Sequence, residues 1–406
     1  MRRLASLALF ALAPLAHADF RIPGYELVQT APIETTLGSS DLRDAVTVWS
    51  ELFDGARREI VLGQFYAASR AGTPFEMVIE RLEAAGRRGV KIRFLLDQKG
   101  VGLSEPATLA RLSAIPNLEL RVLDYSRLTG NGIIHAKYVV VDGQAAFIGS
   151  QNFDWRSFTH ILETGLLVTD VAMVTQVQAV FERDWQAHAQ LAANLVVPKA
   201  SPAPLSFALG SIAPAAQLLS SPAAYNPPGV LDSEVVLPTL LAEAQTEVRV
   251  QLLDYVPLSY GAGGSRPYYA VIDNAIRATA ARGVVVKLMV SHWNTEKPAI
   301  AYLKSLALVP NVQVRIVTLP AASTGPIPFA RVIHSKTMSI DGKLAWVGTS
   351  NWSGGYFDKS RNLEVVLRNE KMAQRLAALH EQAWSSQYAQ PLDVNKDYPK
   401  PFKGGE

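Results

Sequence analysis

One pattern occurs twice in this chain and constrains its fold more than any other feature. From Ile133 the sequence reads Ile-Ile-His-Ala-Lys-Tyr-Val-Val-Val-Asp-Gly, and from Val332 it reads Val-Ile-His-Ser-Lys-Thr-Met-Ser-Ile-Asp-Gly. The first run leads to Gly149-Ser150-Gln151-Asn152 and the second to Gly348-Thr349-Ser350-Asn351. His135, Lys137, Asp142, Ser150 and Asn152 thus have His334, Lys336, Asp341, Thr349 and Asn351 as counterparts at the same spacing. A chain that repeats a long segment builds the same unit twice. In a strand, alternate side chains share a face, so each histidine is expected to point with the lysine two residues on. Asp-Gly is a strong two-residue hairpin signal. Each aspartate therefore turns the chain back, and the hydroxyl and asparagine return toward the histidine.

The repeat extends well beyond these stretches. Arg88-Gly89-Val90-Lys91-Ile92-Arg93 matches Arg282-Gly283-Val284-Val285-Val286-Lys287, and each half closes on a helix containing a tryptophan, Trp185 or Trp384. Apolar periodicity predicts helices over 41–56, 75–88, 105–113 and 171–189, with strands over 59–66, 90–97, 118–123 and 163–169. The second half repeats this with helices over 234–245, 268–282, 299–307 and 371–384 and strands over 247–255 and 312–319. Such β–α–β punctuation predicts an α/β fold with parallel or mixed sheets covered by helices. Residues 19–40 read as an extended lead-in. The organisation expected is a first half over 19–194, a Pro- and Ala-rich connector over 195–229, a second half over 230–390 and a tail over 391–406. A strand over 205–209 is compatible with the connector's composition.

Residues 1–18 read as a cleavable signal peptide: Arg2 and Arg3, an apolar run from Leu4 to Leu15, then Ala16-His17-Ala18. The run is too short to span a bilayer, so a periplasmic or secreted protein is expected. Its removal lowers the formal charge from +3 to +1, which lacks the broad basic field of a duplex-DNA binder. The chain has no cysteine, which excludes disulfides, thiolate catalysis and Cys-based zinc sites. Neither a metal-ligand cluster nor a phosphate-cradling glycine loop is apparent, and no cofactor is expected.

Two lysines and two asparagines on equivalent hairpins can clamp the non-bridging oxygens of a phosphodiester. Of two histidines, one can attack phosphorus while the other protonates the leaving oxygen and then activates water. Each imidazole needs an orienting partner on its second nitrogen. Glu163 and Glu364, each at the start of a strand after its motif, are the candidates. Phe153, Trp293, Trp352 and Tyr356 are candidate base-stacking walls. Arg156, Arg331 and Arg361 are candidates for flanking phosphates. His160, His188, His292 and His380 read as incidental, with His188 and His380 on surface-like helices.

His-x-Lys-x4-Asp followed by Gly-Ser/Thr-x-Asn, in two copies, resembles the phospholipase D superfamily. That resemblance implies two α/β/α sandwich halves related by a pseudo-twofold, packed face to face around a metal-independent site. It also implies a covalent phosphohistidine on one histidine, with His135 the superfamily's commoner nucleophile and the other histidine as acid and base. Asp142 and Asp341 would be structural. Phe153 to Ser157, Ile327 to Lys336 and Gly348 to Phe357 are similar to a narrower branch, the endolysosomal 5′→3′ exonucleases of animals and related poxvirus proteins. This chain departs from that branch in lacking its cysteines and in carrying a cleavable signal in place of a membrane anchor. The resemblance implies a phosphodiester substrate, single-stranded DNA or RNA, with phospholipid as the alternative. No obligate protein partner is expected, and the duplication lets a monomer or a homodimer hold a complete site.

Overall fold

A computed structural model describes residues 19–200, 214–261 and 264–403. The signal peptide expected over 1–18 and the strand compatible with 205–209 are readings that lie outside the described residues. The chain forms two large mixed sheets. The eight-stranded first sheet runs in the order 21–22, 25–30, 163–168, 145–149, 138–141, 59–64, 91–97, 118–123. The nine-stranded second sheet runs 231–232, 216–221, 362–368, 344–348, 337–340, 247–252, 285–291, 312–317, 389–391. From 25–30 to 118–123 and from 216–221 to 312–317 the two orders match strand for strand. Tyr25–Thr30, read as lead-in, pairs antiparallel with Glu163–Val168, and Ala216–Ser221, read as connector, pairs in the same way with Asn362–Arg368. Each lacks a motif of its own and is drawn into a strand by the open edge beside it.

Strand alternation builds the layers. Tyr138, Val140, Ala146 and Ile148 face inward, toward Ala345, Val347, Leu363 and Val365 of the other sheet, with helices Val171–Ala192 and Glu370–Trp384 sharing that core. Their neighbours Val139, Val141 and Phe147 face outward, onto helices Ala45–Gly55 and Phe75–Arg87. In the second sheet Leu344, Trp346 and Val366 do the same beneath helices Ser233–Glu243, Ala270–Ala281 and Ala299–Ala307. The result is helices, sheet, a shared inner layer, sheet, helices. Burial of each large apolar side chain in these layers contributes roughly 1.5–3 kcal/mol. The long inner helices start on side-chain caps: Asp170 accepts from Met173 N–H, and Asn369 from Met372 N–H. His380, expected on a surface-like face, is buried against Trp384 in that layer.

Both hairpins turn as their Asp-Gly pairs demand. Asp142 and Gly143 have φ of 55° and 68°, and Asp341 and Gly342 of 53° and 63°, the conformation of a type I′ turn. Each aspartate also clips its turn to the start of a neighbouring strand, 59–64 or 247–252. Asp142 accepts the backbone N–H of Arg57, Arg58 and Glu59, and Asp341 that of Gln245, Thr246 and Glu247. Among the described residues no helix is long and apolar enough to cross a membrane.

Candidate active site

The histidines sit just ahead of the strands expected to carry them. The strands begin at Tyr138 and Thr337, and the preceding segments are held by the opposite half. His135 N–H and Ala136 N–H donate to the Arg361 carbonyl at 2.9 and 2.8 Å, and Arg361 N–H donates to Ile133. By the pseudo-twofold, His334 N–H and Ser335 N–H donate to the Leu162 carbonyl at 2.8 and 3.0 Å, and Leu162 N–H donates to Val332. Each histidine is thus placed by the start of the other half's strand, Glu163–Val168 or Asn362–Arg368.

The same exchange supplies the orienting groups, and it differs from the expectation. His334 Nδ1 lies 2.8 Å from Glu163 Oε2, whereas His135 Nδ1 lies 3.0 Å from Asn362 Oδ1. Glu364 does not orient a histidine. It is fully buried and accepts the Ser350 hydroxyl, because it faces Gly348 across the sheet, two residues beyond the position that meets a ring. Asn362 follows His334 at the interval by which Glu163 follows His135. That equal offset was the available signal, and it was obscured because the residue there is a carboxylate in one half and an amide in the other.

The Asn362 amide fixes the state of His135. Its Nδ2 donates to the Tyr356 carbonyl at 2.9 Å and the Ser360 carbonyl at 3.4 Å, and Thr349 Oγ1 donates to its Oδ1 at 3.0 Å. Carbonyls only accept, so Oδ1 must face the imidazole as an acceptor. His135 therefore carries its proton on Nδ1 and a lone pair on Nε2. Burial, then Lys137 and Lys336, hold His135 well below the ordinary imidazole range. Burial and the same two lysines push His334 down as well. Burial pushes Glu163 up to about 8, against the pull of Lys336 and the Ser150 and Ser157 hydroxyls. Below that pH the Glu163–His334 pair holds one proton more than a carboxylate and a neutral ring. Whether that proton sits on the carboxyl or on Nδ1, Nε2 of His334 bears hydrogen.

Lys137 and Lys336 are fully buried. Each ammonium donates to the carbonyl of the histidine two residues before it, Lys336 at 2.6 Å. An ammonium has three donors, so capacity remains for an anion. Burial lowers both, Lys336 to about 7 despite Glu163 and Asp254. Asn152 and Asn351 are buried with side-chain carbonyls that lack a partner. Ser150 and Thr349 pin the returning hairpins by accepting the N–H of Thr164 and Leu363, each at 3.0 Å.

The aromatic and arginine candidates divide. Phe153 is buried among Trp49, Phe75 and Phe94, and Trp352 against Trp346. Both follow an asparagine in extended chain, so the asparagine faces the site and the ring faces the core. Tyr356 stays at the site, edge-on to His135 with ring centroids 4.6 Å apart. Arg331 is buried and donates to the Pro320 and Ile33 carbonyls, so it ties loops together. Arg361 is fully buried in a bidentate pair with Asp184, 2.9 Å for both contacts. Trp293 and Arg156 line a cleft of about 830 Å³ that reaches His334 and Asn152, with Tyr66, Arg70, Trp155 and Phe329 also on its walls. The Arg156 guanidinium is held by Asp154 at 2.8 Å and the Pro328 carbonyl at 3.1 Å. Sequence reasoning did not name Arg70, Trp155 or Phe329 as cleft residues, although Trp155 and Phe329 lie in the stretches 153–157 and 327–336 that carry the narrower resemblance; nothing in the local pattern marks Arg70.

Two matched halves with His/Lys/Asn sets at one junction form a site suited to a phosphodiester. A family model described as cardiolipin synthase, PLD-like domain, matches residues 50–185 and 237–384, more than half of the chain. The chain is 30% identical over 397 residues to a probable phospholipase D of Caenorhabditis elegans, covering 90% of this chain and 70% of that protein. It is 30% identical over 394 residues to phospholipase D Z of Dictyostelium discoideum, 90% of each. It is 30% identical over 414 residues to the 5′-3′ exonuclease PLD4 of Homo sapiens, 90% and 78%. In fold it is similar to the crystal structure of a phosphatidylserine synthase of Haemophilus influenzae, with a TM-score of 0.58 at 11% identity over 86% of this chain and 85% of the other. The chain belongs to the phospholipase D superfamily and is a phosphodiesterase, an enzyme acting on phosphoric diester bonds.

Proposed function

We propose that this protein is an exported 5′→3′ exonuclease on single-stranded nucleic acid that works through a phosphohistidine. The leader at residues 1–18 supports export; amino-terminal sequencing of exported protein should begin at Asp19. The observation that carries the chemistry is the unequal orientation of the two rings, Asn362 on His135 and Glu163 on His334. His135 Nε2 uses its lone pair to form the P–N bond as the P–O bond to the leaving group breaks. The leaving oxygen takes the proton from His334 Nε2. The Glu163–His334 pair then takes a proton from water, whose oxygen attacks phosphorus as the P–N bond breaks, and both rings return to their first state. Lys137, Lys336, Asn152 and Asn351 hold the non-bridging oxygens and stabilise the charge that grows in each transition state. These groups supply the electrophilic part, so turnover unchanged by EDTA is expected.

For substrate, the aromatic cleft with Arg70 at its wall supports a strand of bases and phosphates. The exposed Leu103 and Phe329 on the same cleft favour a second reading, a phospholipase D or transphosphatidylase with a lipid head group in the site. Purified protein is tested with 5′-phosphate, 5′-hydroxyl and 3′-blocked oligonucleotides beside phosphatidylcholine vesicles. Shortening of the 3′-blocked strand supports the exonuclease. Choline release without loss of oligonucleotide establishes the second reading instead.

A further inference from the structure

Phe329 is held at the cleft in a conformation that works against it. Its φ is +57°, in the left-handed region that non-glycine residues disfavour. The residue is 48% exposed, so core packing does not explain an aromatic side chain there. Two contacts keep it in place. Its N–H donates to the Lys403 carbonyl at 2.7 Å, and its ring meets Trp293 edge-on with centroids 6.4 Å apart. Lys403 is in turn paired with Glu296 at 2.6 Å, and its ammonium lies 5.8 Å from the Trp293 ring centroid. The carboxyl-terminal segment therefore braces both rings. Both line the cleft that contains His334 and Asn152. From the first half, Trp155 lines the same cleft with the Arg70 guanidinium 4.8 Å above its ring.

We propose that Phe329 and Trp293 form a stacking platform for a nucleobase beside the scissile phosphodiester, with Arg70 on the same cleft neutralising a neighbouring phosphate. The inference rests on the nucleic-acid reading above and deepens it. A flat ring system gains from aromatic faces, and its flanking phosphates gain from cations set beside those faces. An acyl chain would gain from burial against the rings but not from the cation set on the same cleft. Strain at an exposed residue persists where the conformation serves a site.

The test uses the full protein and single-stranded oligonucleotides carrying one abasic position, moved stepwise from the 5′ end. At one position the protein should cleave the base-bearing strand about tenfold faster in kcat/KM than the abasic strand. Phe329→Gly should bring that ratio close to one. Glycine accepts the positive φ, so this variant removes the ring and relieves the backbone together. Trp293→Ala should also lower the ratio, and Phe329→Trp should keep it. A ratio unchanged in Phe329→Gly, or no discrimination at any position, overturns the platform. If the unaltered protein cleaves no oligonucleotide yet releases choline from phosphatidylcholine vesicles, the nucleic-acid reading has failed and the platform with it, an outcome distinct from the other two.

Discussion

At the scale of single residues, the two histidines have the same neighbours in sequence and different partners in space. Replacing either His135 or His334 by alanine should lower turnover at least about 10³-fold, because both steps use both rings; steady-state kinetics on the preferred substrate checks this. The pH dependence follows from Glu163 at about 8 and Lys336 at about 7. Both groups lose protons as pH rises, and each loss removes what the first step needs, the acid proton and the clamping charge. Turnover should therefore fall as pH climbs through about 7 to 8. Glu163→Gln removes the carboxyl that holds the extra proton, so it should slow turnover roughly 10²-fold and move the fall to lower pH. A pH–rate profile in which the mutant's alkaline limb coincides with the parent's would count against the pairing.

Individual elements hold the motif by their ends. The Asp142 carboxylate accepts three backbone N–H groups. Burial alone would push it up, but those bonds outweigh burial and hold it below the ordinary range. Asp142→Ala should destabilise the fold by about 2 kcal/mol in chemical denaturation. The stabilisation is present above the ordinary carboxylate pKa and should vanish as pH falls through the lowered one. Glu364 behaves in the opposite sense. Burial, against the Ser233 and Ser350 hydroxyls, raises it from 4.5 to about 7. A raised carboxyl binds its proton more tightly folded than unfolded, so stability declines as pH rises from about 4.5 to 7. Glu364→Gln should remove that decline, read as thermal midpoints across the same range. Helix positions were legible at this scale, since apolar spacing is a local signal. Strands 25–30 and 216–221 were not, because what makes them strands is the edge they meet.

For the whole molecule the junction of the halves is decisive. Arg361 reaches from the second half to Asp184 on the last helix of the first, and donates also to Ser220, Ser221, Tyr225 and Asn226. Its backbone carbonyl holds the segment that carries His135. Arg361→Met leaves Asp184 charged and alone in the interior, which should cost about 3–5 kcal/mol. Adding Asp184→Asn should recover part of that loss in equilibrium denaturation, because the stranded charge is then gone.

By itself the sequence determined that there are two like halves, that each turns at Asp-Gly, and which histidines, lysines and asparagines meet. Those follow from spacing and turn chemistry, which are local and were stated twice. Tertiary structure alone decided that each histidine is oriented by the other half, that Asn362 and not Glu364 meets a ring, and that Phe153, Trp352, Arg331 and Arg361 serve the interior. It also decided that Arg70, Trp155 and Phe329 share a cleft with Trp293. These depend on how two sheets dock, and contacts across that docking follow three-dimensional register, which has no counterpart in the separation of residues along the chain.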